Sequence, residues 1–183
     1  MLDNPRDPEF NLLAAAVEVI KPQFVRHTSI WTGSPFEWVV TLPPASKGRL
    51  GKQLVRQYFA LKDLSIDTSP DPEADMLING HRIEVKFSML WENGVYTFQQ
   101  IRDQNYEYAI CLGISPFLAH CWVASKALLK ENVIGILGQH TGSSGQDTAW
   151  FTFLPSEPPE WLRPFGGSLG QAFTVLKNLR KIT

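Results

Sequence analysis

The sequence predicts an α/β domain in which a central mixed β-sheet is flanked by helices. Three observations carry that prediction. Asn79-Gly80 stands between two short apolar runs, a strong hairpin signal. Tyr108 to Ile114 and Ala119 to Ala124 are continuous apolar runs of the kind that buried strands show. Helix start signals and apolar residues at helical spacing occur both before and after those strands. Helices, then strands, then a helix place the sheet in the middle.

The chain has 183 residues, enough for one domain over 1–183 with a sizeable core. Hydrophobic residues make up 44% and charged residues 19%, an ordinary globular balance. No window approaches 18 apolar residues, so no membrane span is predicted. The start, M-L-D-N-P-R-D-P-E-F, lacks the basic end and apolar run of a signal peptide, and a cytoplasmic location is expected. Cys111 and Cys121 are then expected as buried free thiols, and their spacing fits no zinc site.

The elements follow in order. Asp7-Pro8-Glu9 opens a first helix whose apolar residues run through Val19 and Ile20. Ser34-Pro35-Phe36-Glu37 reads as a capping box for a short helix that stops before Pro43-Pro44. A third helix starts at Ser46, with Leu50, Leu54, Tyr58 and Leu61 on one face. Its glycines, Gly48 and Gly51, allow close approach of another element or of a nucleic-acid strand. Tyr96 to Asp103 reads as a short strand edge entering a helix. A polar, glycine-rich loop over 138–148 precedes a strand, A-W-F-T-F. Trp38, Trp122, Trp150 and Trp161 lie in apolar contexts and are expected in the core. Ser168 caps a final helix from Leu169 to about Leu179.

Charge is unevenly placed. The net charge of −1 argues against a coating, nonspecific nucleic-acid binder but not against a sequence-specific one. From Leu42 to Leu61 the charged residues are Lys47, Arg49, Lys52 and Arg56, all basic. From Asp63 to Asp75 they are Asp63, Asp67, Asp71, Glu73 and Asp75, all acidic.

The hairpin concentrates the chemistry. A two-residue turn at Asn79-Gly80 sets Ile78 opposite His81, Leu77 opposite Arg82, Met76 opposite Ile83 and Asp75 opposite Glu84. The two carboxylates are then cross-strand neighbours with Cβ atoms about 5 Å apart. Alternation places Lys86 on their face and Met76, Ile78, Ile83, Val85 and Phe87 on the core face. Like charges directly opposite each other destabilise a sheet, so a divalent cation between them gives the pair a purpose. A nearby lysine balances charge or handles a proton. An ion cluster at a solvated edge is the other reading of the same residues. His81 belongs to the apolar face or its rim, and His120 reads as a core histidine.

D-x8-E-x-K, spread over a turn in this way, resembles the signature of the PD-(D/E)xK nucleases. K-G-R-L-G-K-Q-L-V-R-Q-Y-F upstream is similar to the lysine-glycine-led helix of MutH and related restriction endonucleases. Those relatives carry an acidic residue in that helix, where this chain has Gln53, Val55, Arg56 and Gln57. The proline expected before the aspartate is displaced to Pro70 and Pro72, which leaves Asp71 as a rival to Asp75.

The resemblance implies a restriction-endonuclease-like core over about 46–125. It implies Asp75, Glu84 and the Val85 carbonyl as Mg²⁺ ligands, with Lys86 orienting or deprotonating the attacking water or stabilising the phosphorane. Expected DNA contacts are Lys47, Arg49, Lys52, Gln53 and Arg56 on the helix, and Gln100 and Arg102 after the hairpin. A recognition loop would add Gln139, His140, Thr141, Ser143 and Ser144, though a plain surface loop fits those residues equally. The leading expectation is a Mg²⁺-dependent, sequence-specific endonuclease on double-stranded DNA, of the type II restriction kind, acting as a homodimer. The alternatives are a repair or mobile-element nicking enzyme of the same fold, and a catalytically inactive DNA-binding or assembly protein.

Overall fold

The computed structural model describes residues 28–139 and 148–179, together with helical positions at Phe10, Leu13, Ala15, Ala16 and Val19. Those five positions fall within the expected first helix, whose start at Asp7 lies outside the described residues. The rest is a mixed α/β fold with helices against a central sheet.

Glu37–Thr41 is a 3₁₀ turn rather than a capped α-helix. Ser34 and Glu37 still serve backbone donors: Ser34 Oγ accepts from Phe36 N–H, and Glu37 Oε2 accepts from Gly33 N–H. Helix α1, Pro44–Ala60, starts two residues before Ser46, with proline in its first turn where no intrahelical N–H is needed. Its buried residues are Gly51, Val55 and Phe59. Leu50, Leu54 and Tyr58 flank that stripe, and Leu61 is exposed. The expected face was therefore one residue out of phase. Gly51 is the reason: a Cβ there would lie 2.6 Å from Phe87 Cγ, so the helix backbone packs straight onto the sheet.

Strands β1 (Ile66–Asp67), β2 (Met76–Ile78), β3 (His81–Met89), β5 (Tyr108–Ile114) and β6 (Ala119–Ser125) form one sheet in the order β1-β2-β3-β5-β6. β3 and β5 run parallel and the other pairs antiparallel. β4 (Tyr96–Ile101), β8 (Thr148–Phe153) and β7 (Gly138–Gln139) form a second, antiparallel sheet in the order β4-β8-β7. After Ile101 the chain runs on without the helix expected there. Helix α2, Lys126–Asn132, was not anticipated, although Ser125 caps it by accepting from Leu128 N–H. Helix α3, Leu169–Lys177, carries the expected Ser168 cap, completed as a capping box by Gln171.

Alternation along β5 separates two cores. Ile110, Leu112 and Ile114 join Val55 and Phe59 of α1 and Ala172 and Leu176 of α3. Ala109 and Cys111 join Phe98, Phe151 and Phe153 of the second sheet, with Trp122 of β6. The main sheet thus has α1 and α3 on one face and the second sheet, with Leu129 of α2, on the other. Cys111 and Cys121 are buried free thiols, and burial pushes Cys111 up to about 12. Trp122 is fully buried and Trp161 packs on Phe151, whereas Trp38 and Trp150 are exposed, against expectation.

Candidate active site

The hairpin register is the one that Asn79-Gly80 dictates: Met76 opposite Ile83, Leu77 opposite Arg82, Ile78 opposite His81. The ladder stops there. Asp75 N–H donates to the Ile83 carbonyl at 2.8 Å, so a one-residue slip replaces the expected direct pairing of Asp75 with Glu84. Asp75 Oδ2 instead accepts the Val85 N–H at 2.8 Å. A side chain thereby takes the place of a strand beside β3. Beyond Ile83, no described strand pairs with β3 on that side. α1 covers one face of this edge and β4 the other.

The charges converge along that edge. Lys52 Nζ of α1 forms an ion pair with Asp75 Oδ1. Lys86 Nζ donates to Glu84 Oε1 at 2.8 Å and to the Gln100 carbonyl at 2.7 Å. The side chains of Asp75, Glu84 and Lys86 are only 10%, 12% and 10% exposed. Burial holds the Glu84 carboxyl above the usual carboxylate range; Lys86 pulls it back down and the Asp75 charge adds to the rise.

Lys52, Glu84 and Lys86 border a groove of about 1290 Å³, whereas Asp75 does not line it. Lys47, Arg49 and Lys52 line it from α1, Glu84, Val85 and Lys86 from β3, and Gln99 and Gln100 from β4. Lys47 Nζ donates to the Val40 carbonyl and Arg49 to Ser46 Oγ, which holds both along the α1 wall. Gln53, Arg56 and Arg102 do not line the groove. Arg102 is half-buried, and its Nε has no hydrogen-bond partner among the described residues. The side chains of Gln139, His140, Thr141, Ser143 and Ser144 lie outside the described residues.

Asp71 is occupied elsewhere. Its Oδ1 accepts the Glu73 N–H and its Oδ2 the Asn105 amide, so it caps its own turn. His81 is buried against Tyr108 and bonded to Glu107, and His120 stacks on Trp122 beside the Tyr96 hydroxyl. Gln99 is a groove residue that the sequence reading passed over. Its signal was F-Q-Q-I, where two adjacent polar residues break strand alternation.

Among the described residues no group of three or more His, Cys, Asp or Glu side chains could hold a metal ion. Asp75 and Glu84 are the two carboxylates that stand at this edge. A pair of carboxylates suits a hard cation that keeps several of its waters, not a zinc cage.

No protein-family model matches the sequence, and none of the curated proteins does. Among solved structures, the bacterial homing endonuclease I-Ssp6803I is similar with a TM-score of 0.47 and 12% identity, over 74% of this chain and 93% of that one. In the described residues no helix is long and apolar enough to cross a membrane.

Proposed function

We propose that this chain is a Mg²⁺-dependent DNA endonuclease of the type II restriction kind, which hydrolyses phosphodiester bonds at a defined sequence. One observation carries the reading: Asp75, Glu84 and Lys86 come together at an open strand edge, and Glu84 and Lys86 line a groove with a basic wall whose Lys52 is paired with Asp75. A structural ion cluster has no need of a groove of that size beside it.

Asp75, Glu84 and the Val85 carbonyl would hold the cation. Bound Mg²⁺ would supply a water of lowered pKa and neutralise charge on the phosphoryl oxygens. The chain's own residues do the rest. Asp75 is fixed by the Val85 N–H, and Lys52 balances its charge. Lys86 is held by Glu84 and by the Gln100 carbonyl, so its ammonium is fixed at the groove floor as a donor to the attacking water or the phosphate. Lys47 and Arg49 take the flanking phosphates from the α1 wall. Cutting both strands of a palindrome calls for two such sites, hence a homodimer with a twofold axis.

The test is digestion of unmethylated plasmid and phage DNA with Mg²⁺ or EDTA, beside a Lys86→Ala variant. The expected result is discrete linear fragments that need Mg²⁺ and fall at least about a hundredfold in the variant. Open circles without linear product would replace the restriction reading with a nicking one. DNA left intact by the wild-type protein from every source would sink the catalytic assignment.

A further inference from the structure

Three described residues other than glycine have positive φ: Asp63 at 61°, Asn79 at 53° and Gln100 at 56°. Two follow from local structure. Asp63 ends α1, where a left-handed residue closes the helix, and Asn79 opens a hairpin turn that requires one. Asn and Asp also tolerate that conformation better than longer side chains do. Gln100 is neither of these, and it sits inside a strand.

The cause is a bulge. β4 pairs with β8 at Tyr96–Phe153, Thr97–Thr152 and Phe98–Phe151, then resumes at Ile101–Ala149 with one residue extra on β4. A regular strand would turn Gln99 and Gln100 to opposite faces. Here Phe98 and Ile101 are buried, and both glutamines are exposed and line the groove beside Glu84 and Lys86. The bulge also delivers the Gln100 carbonyl to Lys86 Nζ. That contact explains the backbone but not the side chain. Glycine would present the same carbonyl at φ 56° with less strain. The carboxamide is what remains to be explained.

We infer that Gln99 and Gln100 are base-reading residues, whose paired carboxamides set the sequence preference next to the bond that is cut. A carboxamide offers a donor and an acceptor side by side, the pattern that matches the N6 and N7 edge of adenine in the major groove. It carries no charge, so it adds nothing to the phosphate attraction that Lys47 and Arg49 supply. α1 and β4 flank opposite sides of the β3 edge. The groove thus divides into a phosphate wall, a cleavage floor and a base-reading wall. This inference rests on the endonuclease reading above.

The experiment compares wild-type protein with Gln100→Gly and Gln99→Ala in Mg²⁺ digests, with the fragment ends sequenced and thermal melts run in parallel. Glycine keeps the bulge and its carbonyl, so Gln100→Gly is expected to melt no lower than wild type. Its fragment ends should spread over related sites, with discrimination against single-base changes reduced about tenfold or more. Gln99→Ala should relax a neighbouring position. A folded Gln100→Gly protein that keeps the wild-type end sequences and discrimination overturns the inference and leaves the endonuclease standing. So does one whose cutting falls equally at every sequence, since that would place Gln100 in cleavage. Wild-type protein that neither binds nor cuts DNA overturns the endonuclease reading and this inference with it.

Discussion

Glu84 carries the clearest electrostatic cost in the site. Burial is the main cause, and Lys86 offsets it only in part, so the folded chain favours the neutral carboxyl. The sign for stability follows. A carboxyl whose folded pKa lies above its unfolded value binds its proton more tightly in the folded state. Stability therefore falls as pH rises from the ordinary value of 4.5 through the raised one. Glu84→Gln removes that cost. The variant should melt higher than wild type at neutral pH, and the gap should close as pH falls towards 4.5. Melting curves from pH 4 to 8 check it, and a gap that does not change with pH would refute it. Asp75 beside it is met on both oxygens, by Lys52 at Oδ1 and by the Val85 N–H at Oδ2. α1 brings a cation to this edge through Lys52 and carries no acidic residue.

The packing of α1 on β3 fixes the groove, and two glycines that look alike in sequence play opposite parts in it. Gly51 faces Phe87, and an added Cβ would meet the Cβ and Cγ of that ring, which cannot swing away. Gly48 has nothing within 4 Å of the same position. Gly51→Ala should cost about 1–3 kcal/mol through overpacking, despite the better helix propensity of alanine. Gly48→Ala should gain about 0.5–1 kcal/mol. Urea titrations of both variants decide it, and equal shifts would refute the packing account. The same helix shows where sequence was a poor guide. Leucines at 50, 54 and 61 marked a face, but the residue nearest the core is one with no side chain to mark it. Local chemistry was legible: the Asn79-Gly80 register, the span of β5 and the Ser168 cap depend on neighbours in the chain. Pairings set at a distance were not. The slip at Asp75 and the bulge at Gln99–Gln100 are fixed by Val85 and by β8, ten and about fifty residues away.

At the scale of the molecule the question is how a chain of net charge −1 holds a polyanion. Several of its cations are already matched. Lys126 and Lys130 share Asp103 at 2.7 Å each, and Arg82 lies by Glu107. On α1, Lys47, Arg49 and Lys52 all line one groove, where Lys52 forms an ion pair with Asp75. Attraction is thus local, which suits a protein that engages one stretch of DNA without coating it. Two phosphate contacts per chain, Lys47 and Arg49, predict that log K for duplex binding falls with log salt at a slope of about −1.8, and about −3.6 for a dimer engaged through both copies. Lys47→Ala or Arg49→Ala should each flatten the slope by about 1 per chain and weaken binding to all sequences alike. Gln100→Gly should leave the slope unchanged, because a carboxamide releases no counterion. The measurement is fluorescence anisotropy on a short duplex between about 50 and 200 mM salt, a range over which such contacts change affinity strongly. A slope indifferent to both α1 substitutions would remove the phosphates from this wall, and with them the division of the groove into a charged side and a reading side.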